Sequence, residues 1–177
     1  AKLADKARDE QRSKTKNNKT NAGNANYDFD WFVRFYEAVG NISDDKKYLM
    51  EHTEKALYEG VKQVKPGNHI GDISAAVEQY ANKHNLGVVK ELCGHGIGRE
   101  MHEDPEVPNY GTAGTGPKLR EGMVICIEPM LNLGTADIYI LDDDWTIKTD
   151  DGMPAAHYEH TILVTKDGYE ILTPRLD

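Results

Sequence analysis

The chain has 177 residues, with 21 Lys and Arg against 30 Asp and Glu, for a formal net charge of −9. That length supports one domain with its own core, and the acidic balance excludes the basic face that general nucleic-acid binding requires. Two cysteines, Cys93 and Cys126, are too few for a disulfide framework. With no signal-peptide pattern and no 18-residue apolar run, a cytoplasmic protein without membrane contact is expected.

Charge is uneven along the chain. Residues 1–26 hold seven Lys and Arg against three Asp and Glu, and few large apolar side chains. Such a segment buries too little surface to offset its ordering entropy, so a basic, disordered or frayed arm is expected, a solvated tail first and a contact for ribosomal RNA as the alternative. Residues 1–40 read as an atypical leader and 41–177 as the folded domain. Within 27–40, an aromatic-rich stretch, Asp28 and Asp30 would share one face of a strand, open to a metal or to solvent.

Ser43, followed by Asp44 and Asp45, is a helix start: a hydroxyl cap, then acids at the positive end of the dipole. Leu49, Met50, Thr53, Ala56, Leu57, Tyr58 and Val61 follow at helical spacing, until Pro66-Gly67. A second helix is expected with Asp72 as its cap, burying Ile73, Ala76, Val77 and Tyr80 and ending near residues 85–87. Strand patterns come next, at 87–92, 123–128, 138–141, 145–149, 156–165 and 169–173. The run 123–128 (MVICIE) is apolar enough for a central strand, and the last four read as an antiparallel meander. Two helices followed by strands predict an α+β fold with an antiparallel sheet and helices on one face.

Residues 94–103 (GHGIGREMHE) carry the densest chemistry. His95 and His102 lie seven residues apart, too far for one helical turn and of opposite parity for one strand. His95 is therefore read as leaving a strand and His102 as returning across a loop, both on one cleft. The glycine spacing matches neither phosphate-loop register. Glu128 closes the apolar strand just before Pro129, where burial demands a partner or a metal. Period-two alternation puts Glu159 on a polar face with His157 and Thr161, and Tyr158, His160, Ile162 and Val164 on the other. Each residue alone also suits an ordinary solvated face. Together, His95, Glu128 and Glu159 form a mixed nitrogen–oxygen set suited to a divalent ion, Zn at an open catalytic site or Mn, Fe or Co. Such an ion acidifies water and polarises a carbonyl, the chemistry of hydrolysis, with His102 placed to hydrogen-bond substrate or oxyanion.

Four motifs in register, 94–99 (GHGIGR) with 102–105 (HEDP), 127–130 (IEPM), 144–146 (DWT) and 158–161 (YEHT), resemble the type I methionine aminopeptidases of the pita-bread metallopeptidases. The resemblance spans roughly 41–175, with 33 residues from His95 to Glu128 and 31 from there to Glu159. It implies the pita-bread (creatinase/aminopeptidase-like) fold and removal of the initiator methionine from nascent chains. It also implies His95, Glu128 and Glu159 as metal ligands, Glu159 bridging two ions. His102 would contact the scissile peptide, and Trp145 would line the methionine-side pocket; a packed core aromatic is the alternative for Trp145.

The family pattern also calls for a first half with two aspartate ligands eleven residues apart and a further substrate-contacting histidine. No histidine precedes His52, and Asn17 and Lys19 stand eleven residues before Asp28 and Asp30. The resemblance is thus to the C-terminal half. Three ligands suffice for one open site, whereas a second would need carboxylates that Glu159 alone does not replace. A half-fold would expose sheet surface, so self-association or a complementing N-terminal fragment is expected. A catalytically impaired fragment or pseudoenzyme acting as a binding module is the alternative to an active enzyme.

Overall fold

The computed structural model describes residue 38 and residues 40–174; the basic arm, Asp28 and Asp30 lie outside them. Two helices come first, α1 (Asp44–Val61) and α2 (Ile70–Lys83). Ser43 caps α1 as expected, its hydroxyl accepting from Lys46 N. The second helix starts earlier than expected. Asp72 is not its cap but the third helical residue, and its carboxylate reaches back 2.7 Å to accept from His69 N. The helix ends where the sequence indicated, with Asn85 in the left-handed region (φ 54) that asparagine tolerates.

Ten strands follow: β1 (Gly87–Val88), β2 (Gly94–Gly96), β3 (Glu103–Val107), β4 (Val124–Ile127), β5 (Met130–Asn132), β6 (Ile138–Ile140), β7 (Ile147–Thr149), β8 (Ala155–His157), β9 (His160–Val164) and β10 (Tyr169–Ile171). They form an antiparallel five-stranded sheet in the order β10-β9-β4-β2-β3, a three-stranded sheet β1-β5-β8, and the separate hairpin β6-β7. The α+β class with antiparallel sheets stands. The meander does not: β9 inserts between β10 and β4, and the hairpin β6-β7 pairs only with itself. The long run expected at 156–165 is also two strands, divided between the two larger sheets.

The division has a local cause. Cys126 pairs with Thr161 on β4-β9, and Met130 pairs with His157 on β5-β8. These pairs lie on one register, so β4-β5 and β8-β9 are one long strand pair interrupted near its middle. Pro129 sits at the interruption, and without an N–H it donates no ladder bond, although its carbonyl accepts from Tyr158 N at 3.3 Å. Continuing the register by two places from either side sets Glu128 opposite Glu159.

One face of this strand pair packs on the helices. Ile125, Ile127, Tyr158, Ile162 and Val164 join Leu57, Val61, Val64, Ile70 and Ile73 in one buried cluster. Each fully buried aliphatic side chain there contributes about 1.5–3 kcal/mol. The helices meet closely at Gly60, where an added Cβ would stand 2.8 Å from Val77 Cγ2. The opposite face carries the alternate residues: Cys126, Glu128, His157, Glu159 and Thr161. Strand parity thus separates core from chemistry.

Candidate metal centre

The site grows from β2, which runs between β3 and β4. Gly94 lets it do so, since a Cβ at that position would collide with the Cys126 carbonyl. His95 lies between the two glycines, opposite Cys126 on one side and Glu106 on the other. Its Nδ1 is 2.8 Å from the Gly96 carbonyl. A carbonyl only accepts, so Nδ1 bears the proton and Nε2 is the ring nitrogen turned to the site. A backbone acceptor on the far nitrogen is the usual device for orienting a ligating histidine.

That Nε2 faces Glu128, 3.4 Å from Oε1, while the second oxygen, Oε2, is 3.1 Å from His157 Nε2. All three side chains are largely enclosed, 14, 13 and 11 % exposed for His95, Glu128 and His157. A lone pair against a carboxylate in such surroundings is repulsive unless a cation or proton lies between them. Metal–ligand bonds of 2.0–2.2 Å at octahedral to tetrahedral angles separate neighbouring donors by about 3.0–3.4 Å. The spacing therefore fits a divalent ion.

Glu159 completes the set. One donor atom each from Glu128, His157 and Glu159 lie within 4.8 Å of one another, and so do donors from His95, Cys126 and Glu159. Cys126 is buried, with its Sγ 3.6 Å from Thr161 Oγ1. Burial pushes its thiol up to about 12; the Thr161 hydroxyl opposes that shift and the Glu159 carboxylate adds to it. Cys126 therefore sits there as a neutral thiol. Burial also raises the Cys93 thiol. Asn109, 1 % exposed, donates from Nδ2 to the Glu128 carbonyl at 3.1 Å and fixes the backbone beneath that carboxylate.

His102 stands on the loop between β2 and β3, its ring 4.2 Å from that of His95 between centroids, and it is exposed. The structure thus brings together His95, His102, Glu128 and Glu159, as the sequence suggested. Trp145 lies in the β6-β7 turn, 66 % exposed, so the packed-core alternative does not hold. The Asp143 carboxylate closes the turn, accepting from Trp145 N and from the backbone and hydroxyl of Thr146. His157, Cys126 and Asn109 were not singled out as site residues. For His157 a signal existed, its parity with Glu159.

The sequence profile of metallopeptidase family M24 matches residues 31–166. Methionine aminopeptidase 1 of Bacillus subtilis (strain 168) is 49 % identical over 135 residues, which are 76 % of this chain and 54 % of that protein. The methionine aminopeptidase of Salmonella typhimurium (strain LT2) is 50 % identical over 129 residues, 73 % of this chain and 49 % of the relative. The chain thus spans about half the length of the curated relatives it matches. Among solved structures, methionine aminopeptidase from Rickettsia prowazekii superposes with a TM-score of 0.75 at 46 % identity, over 76 % of this chain and 55 % of that one. A prolidase from Pyrococcus horikoshii OT3 superposes at 0.59 with 29 % identity, over 78 and 34 %.

Proposed function

The chain belongs to metallopeptidase family M24, and from that premise we propose that it is a metal-dependent aminopeptidase that removes the N-terminal methionine of nascent polypeptides. The observation that carries this reading is that His95 Nε2 faces Glu128 at 3.4 Å, while Glu159 has donor atoms within 4.8 Å of those of His95 and Cys126 and of those of Glu128 and His157, all on one polar sheet face. These three would hold a divalent ion, Co, Mn, Fe or Zn, in the cytoplasm. When bound there, such an ion supplies an acidified water and Lewis-acid polarisation of the scissile carbonyl.

The remaining work falls to this chain's own side chains. His95 keeps its Nδ1 proton on Gly96 and offers only Nε2 to the site. Two carboxylates, Glu128 and Glu159, balance the charge of a divalent ion and can take up a proton beside the reacting carbonyl. His102, on a loop edge and open to solvent, would donate a ring N–H to the oxygen where negative charge develops. Trp145 is assigned to the methionine side of the substrate, a role that requires its hairpin to meet bound peptide. With Glu128 largely enclosed and His102 exposed, substrate would reach the site from the His102 side.

Methionine release from a Met-Ala-Ser peptide, with Co²⁺ or Mn²⁺ added, tests the reading. Metal-dependent release that disappears in His95→Ala and falls steeply in His102→Ala is expected. Folded, metal-loaded chain that releases nothing would overturn it and put a pseudoenzyme in its place.

A further inference from the structure

We infer that Glu103 is a positioning residue for His102: its carboxylate folds back over Gly98 and braces the loop that turns the His102 ring toward His95. The inference rests on the role given to His102 above and adds the residue that holds it in place.

The loop is residues 97–102, between β2 and β3. Backbone pairing fixes its base. Ile97 N donates to the Val124 carbonyl at 3.1 Å, and Gly96 pairs with Glu103 across a shift in register. The rest of the loop leans on one side chain. Glu103 Oε2 accepts from Glu100 N at 3.4 Å, which closes a small ring through residues 100–103 with His102 inside it. Glu103 Oε1 takes the place where a side chain at Gly98 would begin; an added Cβ would collide with that oxygen and stand 3.2 Å from Cδ. Gly98 is not among the glycines of positive φ, so it is the carboxylate, and not the backbone, that calls for glycine there. Gly94 and Gly96 differ, since a Cβ at either would meet a main-chain carbonyl, of Cys126 or of Asp104. Carboxylate and Gly98 are thus fitted to each other. The result is a His102 ring 4.2 Å from that of His95, centroid to centroid, set before substrate arrives.

The competing arrangement is a solvated Glu103, with the loop held by its backbone pairing alone. Proton NMR of the full, metal-free chain with labelled histidine separates the two. The ring-to-ring cross-peak between His95 and His102 reports the loop. The one between His52 and His84, whose centroids are 4.0 Å apart on the helices, reports the fold. In Glu103→Ala the first should be lost and the second kept. Gly98→Ala, whose methyl displaces the carboxylate, should do the same, and should add nothing in the Glu103→Ala background. Glu103→Gln, which keeps an acceptor, should retain both cross-peaks. On Met-Ala-Ser with Co²⁺, Glu103→Ala should lower kcat about tenfold, the size of one hydrogen bond to a charged acceptor, with KM little changed.

A His95–His102 cross-peak that is absent in the wild type, or at full strength in Glu103→Ala, would overturn the proposal. So would a further loss from Gly98→Ala once Glu103 is gone. If Glu103→Ala loses the His52–His84 cross-peak as well, Gly98→Ala alone decides, by keeping or losing the one between His95 and His102. Wild-type chain that shows both cross-peaks but releases no methionine overturns the aminopeptidase reading instead, and leaves the brace standing.

Discussion

Asn109 offers a test of how rigidly the fold holds its carboxylate. It is 1 % exposed, and its Nδ2 donates to the Glu128 carbonyl at 3.1 Å, at the point where Pro129 interrupts the strand pair. Asn109→Ala removes that donor from a carbonyl that water does not readily reach, which costs about 1–3 kcal/mol of folding stability. It also frees the Glu128 backbone to shift. Residues that orient metal ligands without touching the ion typically change affinity by about 10–100-fold, or roughly 1.4–2.7 kcal/mol. Asn109→Asp is the sharper perturbation, since a carboxylate oxygen would replace the donor and face the carbonyl it cannot bond. Competition of the chain against a chromogenic chelator for Co²⁺ measures the affinity, and thermal melting of the metal-free chain measures the fold. Both variants should lose both quantities, Asn109→Asp more than Asn109→Ala. A variant that melts earlier but binds Co²⁺ as tightly as wild type would refute the reasoning, because the hydrogen bond would then serve the core alone.

Two further outcomes follow from the same structure. His160 is buried between Tyr58, 3.2 Å from its Nε2, and Thr173, 3.2 Å from its Nδ1, and burial holds its pKa below the usual 6.5. The unfolded chain then binds the proton more readily, so stability from this group is full above about pH 6.5 and is lost as pH falls through the lowered value. His52, lowered by burial and by the neighbouring His84, acts in the same direction. Asp72, lowered chiefly by its bond from His69, contributes above its usual 3.8 and acts only in stronger acid. Melting temperature measured from pH 8 to 5 should decline, and less steeply in His160→Gln; parallel curves would remove His160 as the cause. Self-association or pairing with an N-terminal fragment is expected from the exposed Met101, Ile140 and Trp145, 53, 61 and 66 % exposed. Light scattering should show a mass above that of one chain, and a monodisperse monomer indifferent to added fragment would rule this out.

The sequence made some of this legible because local rules agreed with the global fold. Ser43 with two acids marks α1, and the apolar run at 124–127 marks the central strand β4. Parity alone put Glu159 with His157 and away from Tyr158 and His160, which the structure repeats. Other features depended on partners that no single segment reveals. The pattern at 155–164 alternates without a break, and it is Pro129 on the partner strand that divides it. Strand β3 reads poorly because EDPEV is charged and holds a proline; it is tolerated as the sheet's edge. Asp72 resembles a cap in sequence, yet works from inside the helix by reaching back to His69. Trp145 fits a strand pattern, but the Asp143 carboxylate captures its backbone in a turn.

The match covers about half of each relative, and the cluster lies within that half. Every side chain in the cluster comes from β2, from the β4-β5 and β8-β9 strand pair, or from the loop after β2. These strands hydrogen-bond directly to one another. Their backs are held by α1 and α2 within the same stretch of chain. Within the described residues, direct strand pairing is what brings the nitrogen–oxygen cluster together. Substrate enclosure is a different matter, since His102 and Trp145 are both exposed. Binding and turnover should then separate: metal affinity belongs to the strand pair and survives in the chain alone, whereas KM for peptide depends on whatever covers the loop edge. A complementing partner should lower KM for Met-Ala-Ser while leaving Co²⁺ affinity unchanged. A partner that instead tightened Co²⁺ binding by an order of magnitude would show that a ligand comes from outside.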